Sequence, residues 1–371
     1  MLQKILACCI AVASNYFATF AQTNKIEDIM PDSSNSNAVA QESKPKTIIS
    51  GSADVYYRYN FQDPKSTPYN NFTSFTNSHN SFELGMASLK AEHSFGKVGM
   101  VADLGFGQRA DDFSYNDAGS SVAIKQLYLS YKPSSKIKLT IGSWATHIGY
   151  ELVDAYLNRN YSMSYMFSFG PFFHTGLKGE FTLGEKSVLM VGIANPFDLK
   201  SASRMPKMAI GQFATASKDD KLKAFLNYQG GKYNDSSLLH QGDLVLTYAF
   251  STKFNLGYNG TFQSRQGKLV ADKWSGGTSW WGSAIYVNYD PVSKFGLTLR
   301  GEYLDDNNNI LGFDGSIFET TLSANFKIDN LTVIPEIRLD NGCSSPGIFQ
   351  KNAGMPTKTT ETFVLAAVYH F

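Results

Sequence analysis

Charged residues recur at every second position in several otherwise apolar segments of the 371-residue chain. Arg300 is followed by Glu302, and Glu336 is followed by Arg338. Side chains alternate between the two faces of a strand, so each pair would share one face. A charge that faces lipid costs roughly 2–4 kcal/mol at the bilayer midplane. These side chains would therefore have to face a wet interior.

We predict that ten charged side chains line such an interior. Rings of charge in a channel set its ion preference, but neighbouring opposite charges can also simply neutralise each other, and both interpretations stay open. The predicted lining residues are Asp54, Arg58, Lys125, Lys178, Glu180, Lys223, Arg300, Glu302, Glu336 and Arg338.

The longest connection, residues 143–173, combines charge with many aromatic residues. It contains Glu151, Asp154 and Arg159. A segment this aromatic is not expected to remain in water, because aromatic rings bury large apolar areas. We predict that it folds into the lumen as a constriction loop, with its two carboxylates opposite lumen arginines. The alternative is an outward cap or a contact between protomers. The candidate arginines are Arg58, Arg300 and Arg338.

The local patterns of hydrolase and metalloprotease sites are absent from the sequence. No Gly-x-Ser-x-Gly or His-Glu-x-x-His motif occurs, and the six histidines are scattered. Asp111-Asp112 and residues 305–309 are acidic or amide-rich, but they lack calcium-loop spacing. Beyond Cys8 and Cys9, Cys343 is the single cysteine, so a mature chain could form no internal disulfide. We predict no catalytic residue, no metal site, no cofactor and no enzymatic activity.

Strands of alternating hydrophobicity are the elements that would position these side chains. Such segments number about 16, each near the roughly 9–11 residues that a tilted strand needs to cross a bilayer. The predicted fold class is therefore all-β, a transmembrane antiparallel β-barrel of about 16 strands, a size that leaves an aqueous channel. The predicted strand starts lie near Ile48, Ser81, Lys97, Val122, Lys136, His174, Ser187, Lys207, Lys221, Gln241, Lys253, Trp280, Lys294, Ile317, Leu331 and Thr362.

Short turns and long polar loops alternate between these strands. Short periplasmic turns and long extracellular loops are typical of outer-membrane barrels. Aromatic residues beside the short turns, such as Tyr131, Phe254 and Phe326, predict an interfacial girdle. The predicted long loops are 62–80, 108–121, 143–173, 196–206, 230–240, 263–279, 304–316 and 340–361.

The N-terminal region predicts export from the cytoplasm. Residues 1–21 have a basic start and an apolar stretch that ends at Ala21, which indicates a secretory signal peptide. Residues 22–46 are polar and predict a flexible periplasmic leader, followed by a barrel over residues 47–371. No later stretch of eighteen apolar residues exists, so we predict no helical membrane span. The formal net charge of +1 gives no reason to expect nucleic acid as a partner.

Four stretches carry a family resemblance: Gly51–Phe61, Asn80–Gly105, Tyr128–Glu151 and Asn158–Gly176. They resemble the Bacteroidetes-type β-barrel porins described as OmpL-like, and the resemblance covers essentially the whole chain after the leader. It implies an outer-membrane pore and supplies no substrate. The C-terminal residues, Tyr369 and Phe371 among them, also resemble the signal by which outer-membrane barrels are recognised for assembly. A final lipid-facing strand is the alternative explanation.

Two classes of function remain open at this point. The first is an outer-membrane porin that allows passive diffusion of small hydrophilic solutes through a water-filled lumen, narrowed by residues 143–173. The alternative is a barrel-anchored surface protein whose long extracellular loops bind a partner. The expected location is the bacterial outer membrane, as a multi-pass barrel. Expected partners are outer-membrane lipid and lipopolysaccharide, the barrel assembly machinery and small hydrophilic solutes, and a homotrimer is compatible with the sequence.

Overall fold

The computed structural model describes residues 44–269, 273–344, 347–352 and 354–371. The signal peptide and nearly all of the leader lie outside these residues, and both stay predictions. None of the helices in the described part of the chain is long and apolar enough to cross a membrane. The strands are β1 Lys46–Asn60, β2 Ser81–Phe95, β3 Val98–Phe106, β4 Ile124–Ser134, β5 Ile137–Ala145, β6 Phe173–Gly184, β7 Ser187–Ala194, β8 Met208–Ala216, β9 Leu222–Asn234, β10 Ser237–Ala249, β11 Phe254–Gly267, β12 Thr278–Val292, β13 Phe295–Asp306, β14 Gly315–Ile328, β15 Leu331–Gly342, β16 Phe349–Lys351, β17 Met355–Thr357 and β18 Thr359–His370. The helices are α1 Gln108–Phe113, α2 Tyr165–Phe169 and the 3-10 helices Gly119–Ala123 and Ala155–Leu157.

Sixteen of these strands close into one antiparallel barrel, in which each strand pairs with its neighbours along the chain. The barrel closes where β1 pairs with β18, from Ser52 opposite His370 to Asn60 opposite Thr362. Strands β16 and β17 form a separate small hairpin in the connection between β15 and β18. The all-β barrel of about 16 strands predicted from the sequence is therefore confirmed.

Alternating side chains explain why these segments become barrel strands. On β14, Phe318 and Leu322 are 51% and 50% exposed on the outer face, while Glu319 and Thr321 between them are fully buried inside. The outer face is apolar and the inner face is polar, as a strand between lipid and a wet interior requires. Because this pattern is local, each of the sixteen predicted strand starts lies within four residues of an observed one.

The two ends of the barrel differ in the length of their connections. The turns at one end, the short-turn end, span two to five residues, whereas residues 146–172 make the longest connection at the opposite loop end. The prediction of a long loop over residues 230–240 is wrong. Strands β9 and β10 extend into this range and are joined by a two-residue turn at 235–236. These strands rise above the apolar belt, so their outward positions are polar, as at Lys232 and His240.

Candidate functional site: the barrel lumen

The connection between β5 and β6, residues 146–172, folds against the inner faces of the strands and is called the inner segment below. Its shape is set locally by two side chains. The Asn158 amide bonds to the backbone N–H and carbonyl of Leu152, at 3.0 and 2.5 Å. The Ser164 hydroxyl accepts a hydrogen bond of 3.1 Å from the N–H of Phe167, which caps the start of α2.

Hydrogen bonds join the inner segment to every strand from β9 to β15. Glu336 on β15 accepts from the N–H groups of Tyr161 and Ser162, at 2.7 and 3.0 Å. Glu302 on β13 accepts from two consecutive N–H groups at the start of α2, both at 2.7 Å. Both predicted lining residues thus face the interior, where they hold the inner segment.

Arg300 lies at the centre of a fully buried ion network. Its Nη1 donates to Glu151 of the inner segment at 2.6 Å, and its Nε donates to Glu319 of β14 at 2.9 Å. It also donates to the carbonyl oxygen of Ser162 at 2.8 Å. The structure therefore brings Glu151 opposite one of the three arginines named from the sequence. Glu319 belongs to this network but was not predicted from the sequence. Nothing in its own segment identifies Arg300 as its partner.

The other two arginines bind loop backbone. Arg338 pairs with Asp340 on its own strand at 2.8 Å and donates to the carbonyl oxygen of Met163 at 2.7 Å. Arg58 donates to carbonyl oxygens in the connection between β1 and β2, including that of Tyr69 at 3.1 Å. An arginine that satisfies backbone carbonyls in this way fixes the position of a loop.

The remaining charges of the inner segment pair with the barrel wall at two places. Asp154, placed opposite an arginine by the sequence, pairs instead with Lys125 of β4, since the inner segment passes that strand. Lys125 also lies 3.1 Å from Asp103. Arg159 pairs with Asp290 at 2.8 Å, close to the short-turn end of β12. The inner segment therefore extends from the loop end almost to the opposite end.

A cavity of about 180 Å³ remains between the inner segment and the wall formed by β2–β8. Its lining includes Lys138, Lys178 and Glu180, with Glu180 lying 3.5 Å from the amine of Lys138 and 3.0 Å from that of Lys178. The predicted lining residues Lys178 and Glu180 therefore lie along this open side. Trp144 and Met190 give the same cavity an apolar part.

Aromatic contacts hold the neighbouring loops against the inner segment. Arg109 of α1 is fully buried, with its guanidinium 4.8 Å from the ring of Phe75 and 4.9 Å from the ring of Tyr161. Cation–π contacts of this kind gain strength when they are removed from water. Arg109 was missed in the sequence because its region, residues 108–121, has the composition of a solvated loop. Its neighbour Phe113, also fully buried, was the available signal.

Asp198 joins three connections at the loop end. One of its oxygens accepts from the N–H groups of Phe172 and Phe173, at 2.7 and 3.0 Å, and the other accepts from the Tyr115 hydroxyl at 3.0 Å. Burial raises the pKa of the Asp198 carboxyl to about 7, against the lowering effect of these donors. The carboxyl therefore fixes the junction between the inner segment and β6 to the connection between β7 and β8.

The C-terminal residues named as an assembly signal lie on the outer face of the barrel. Tyr369 and Phe371 are 46% and 59% exposed. The backbone N–H and carbonyl of Phe371 pair with those of Gly51, at 2.9 and 3.0 Å. Their role in recognition stays a prediction.

Solved outer-membrane porins share this architecture, although their sequences are distant. The anion-selective porin from Comamonas acidovorans is 11% identical, with a TM-score of 0.58 over 88% of this chain and 100% of that one. The channel DcaP of Acinetobacter baumannii is 10% identical, with a TM-score of 0.58 over 90% and 100%. The trimer form of OmpT of Vibrio cholerae is 11% identical, with a TM-score of 0.55 over 89% and 100%. No curated protein is similar enough in sequence to count as a relative.

A closed barrel of sixteen strands, apolar outside and charged inside, defines a porin-like multi-pass barrel of the outer membrane. The family follows from the sequence itself: residues 46–371 match the family described as "Putative beta-barrel porin-2, OmpL-like", and the chain belongs to it. Family and fold both point to a channel rather than an enzyme. In barrels of this class the short turns face the periplasm and the long loops face the cell exterior.

Proposed function

We propose that this protein is a passive diffusion channel for small hydrophilic solutes, narrowed by the inner segment. The observation that carries the proposal is the one-sided filling of the lumen. Hydrogen bonds join the inner segment to every strand from β9 to β15. On the side of β2–β8, Lys125 and Gln212 also contact the segment, but a cavity of about 180 Å³ remains between it and the wall. Solutes would follow the second side, and the width between the inner segment and that wall would limit their size.

The chemistry of the open side suits hydrophilic solutes. Charged groups of both signs line it, among them Lys138, Lys178 and Glu180. Two further lining atoms, Thr140 Oγ1 and Trp144 Nε1, are buried without a hydrogen-bond partner among the described residues. Buried polar atoms are normally satisfied by protein or by water. Water or a passing solute would supply these bonds.

Single-channel recording of refolded protein in planar bilayers tests the proposal. Stable current steps are expected from barrels whose folding has been verified by their altered gel mobility before heating. Liposome swelling with neutral sugars of increasing size then tests the narrowing, because uptake should fall steeply with sugar size. Silent bilayers containing verified barrels would refute the channel, whereas uptake without size dependence would refute only the narrowing.

We also propose that the barrel assembles as a homotrimer. The support is the shared fold with OmpT, which has been solved in a trimer form. Chemical cross-linking in native membranes, followed by denaturing electrophoresis, should give a ladder that ends at the trimer. Recovery of the monomer band alone, with cross-linkers of several lengths, would contradict this assembly.

A further inference from the structure

A lysine stands at the start of nearly every strand that runs away from the short-turn end. Six of the seven short turns end on lysine directly before such a strand, and β1 itself opens on lysine. The exception is Asn330, which precedes β15. These residues are called the lysine ring below. Its members are Lys46, Lys97, Lys136, Lys186, Lys221, Lys253 and Lys294.

The six turn lysines occupy equivalent positions in the fold. The carbonyl oxygen of each lysine accepts a hydrogen bond of 2.7–3.0 Å from a backbone N–H group. The donor lies at or next to the end of the neighbouring strand that leads into the next short turn. Lys97, for example, accepts from Lys132 at 2.8 Å, and Lys253 accepts from Asp290 at 2.7 Å. Neighbouring turn lysines are two strands apart, which is roughly 9–10 Å at normal strand spacing. They therefore surround one mouth of the barrel at a regular interval.

The alternation of side chains assigns these lysines to the lumen side of the wall. The residues that follow them, such as Val98, Leu222 and Phe254, belong to the more exposed, outward series of their strands. Each lysine accordingly occupies a lumen-facing position in the alternation. Every ring member except Lys186, which is half-buried, is exposed to solvent.

Acidic residues neutralise only part of this charge. The seven short turns contain seven lysines, six from the ring and Lys218, against four acidic residues. Two ring members have acidic neighbours, because Lys186 lies 2.6 Å from Asp220 and Lys221 lies 3.6 Å from Asp219. The mouth at the short-turn end consequently carries an excess of positive charge. The acidic residues are Glu185, Asp219, Asp220 and Asp329.

Charges deeper in the lumen are held in buried clusters that contain both signs, and carboxylates outnumber cations in these clusters. Arg300 lies between two glutamates, Arg338 pairs with Asp340, and Lys125 contacts two aspartates. A paired charge has a weak field beyond its immediate surroundings, whereas a ring of like charge at an opening raises the local concentration of counter-ions. The ring lies exposed at the opening itself, whereas these clusters are buried, so the ring sets the sign of the field that a solute meets at this mouth.

We propose that the lysine ring makes this channel prefer small anions, such as chloride, phosphate and small carboxylates. The inference rests on the proposed channel function and names the class of solute. Its physical signature is a dependence on salt. The screening length is about 10 Å at 0.1 M salt and about 3 Å at 1 M. The fields of lysines about 10 Å apart overlap at the lower concentration and separate at the higher one, so the preference should weaken as salt is raised.

Reversal potentials across a potassium chloride gradient test the ring with two matched variants. The first neutralises four exposed ring members, and the second neutralises four exposed lysines at the loop end, so both remove the same charge. The ring variant is Lys97→Gln, Lys136→Gln, Lys253→Gln and Lys294→Gln. The control variant is Lys232→Gln, Lys268→Gln, Lys351→Gln and Lys358→Gln.

The natural chain should pass chloride several-fold better than potassium at low salt. The ring variant should lose most of this preference, and the control variant should keep it. If the fourfold ring variant does not fold, its two halves, Lys97→Gln with Lys136→Gln and Lys253→Gln with Lys294→Gln, should each give part of the loss. Equal permeability in the natural chain, or equal shifts in ring and control variants, would overturn the inference while leaving the channel intact. A verified barrel that passes no current would instead refute the channel itself.

Discussion

The substitution Glu336→Gln should loosen the inner segment without disturbing the barrel wall. In the native chain the two carboxylate oxygens of Glu336 accept from the N–H groups of Tyr161 and Ser162. The Ser323 hydroxyl donates to the same carboxylate at 2.7 Å. A glutamine keeps one acceptor oxygen and turns an amide NH₂ group toward the other N–H donor. The variant therefore loses one charge-assisted bond and places two donors against each other.

A hydrogen bond to a charged group contributes about 1.5–3 kcal/mol, so the local opening free energy of the inner segment should fall by about 2 kcal/mol. Since about 1.4 kcal/mol corresponds to a factor of ten, the amides of Tyr161 and Ser162 should exchange with solvent about 30-fold faster. Hydrogen exchange of the folded barrel in detergent micelles, read by mass spectrometry on peptides that cover the inner segment, measures this directly. In bilayers, the same variant should add larger and noisier current levels.

Glu185→Gln is a suitable control, because it makes the same chemical change at an exposed residue of a short turn. It should leave exchange in the inner segment at the native rate. If Glu336→Gln also leaves that rate unchanged, the carboxylate does not hold the segment, and the proposal that this contact limits the opening of the lumen fails.

Two further substitutions probe the buried charges. Arg300→Met removes the cation between Glu151 and Glu319, and uncompensated buried charge should cost about 3–5 kcal/mol, which urea titration of the folded barrel would register as a lower midpoint. Asp198 tests pH dependence: its pKa of about 7 lies above the ordinary value of 3.8, so the native loop arrangement binds the proton more tightly than a loosened one does. Protection of the Phe172 amide from exchange should therefore decrease as pH rises from about 4 to about 7, and Asp198→Asn should flatten that dependence. A native-like pH profile in the asparagine variant would exclude this carboxyl as the titrating group.

The barrel was predictable from the sequence because its signal is local and repeated. Alternation such as that around Phe318 and Glu319 depends only on residues two apart, and it defines both the strand and its two faces. The error at residues 230–240 has the opposite origin. Strands that extend beyond the lipid lose the requirement for apolar outward residues, so their polar ends resemble loops.

The interior was predictable only in part. The alternation places Arg300, Glu302 and Glu336 on the lumen face, but it cannot name what they bind. Glu336 binds N–H groups 175 and 174 residues away, and a backbone amide has no sequence signature. Arg109 was missed for a related reason, since its aromatic partners lie in two other connections. Which groups these side chains bind is decided by tertiary packing, and the local sequence does not contain that information.

The inner segment and the barrel wall each supply hydrogen-bond partners for polar groups of the other. An inward-facing carboxylate such as Glu336 is costly without donors, and the N–H groups of an irregular segment are costly without acceptors. Packing one against the other meets both requirements. A positive excess remains exposed at the short-turn end, where no segment of the described chain covers the lysine ring. If the channel works as proposed, we expect its ion preference to be set at the short-turn mouth and the size of its solutes to be limited by the inner segment.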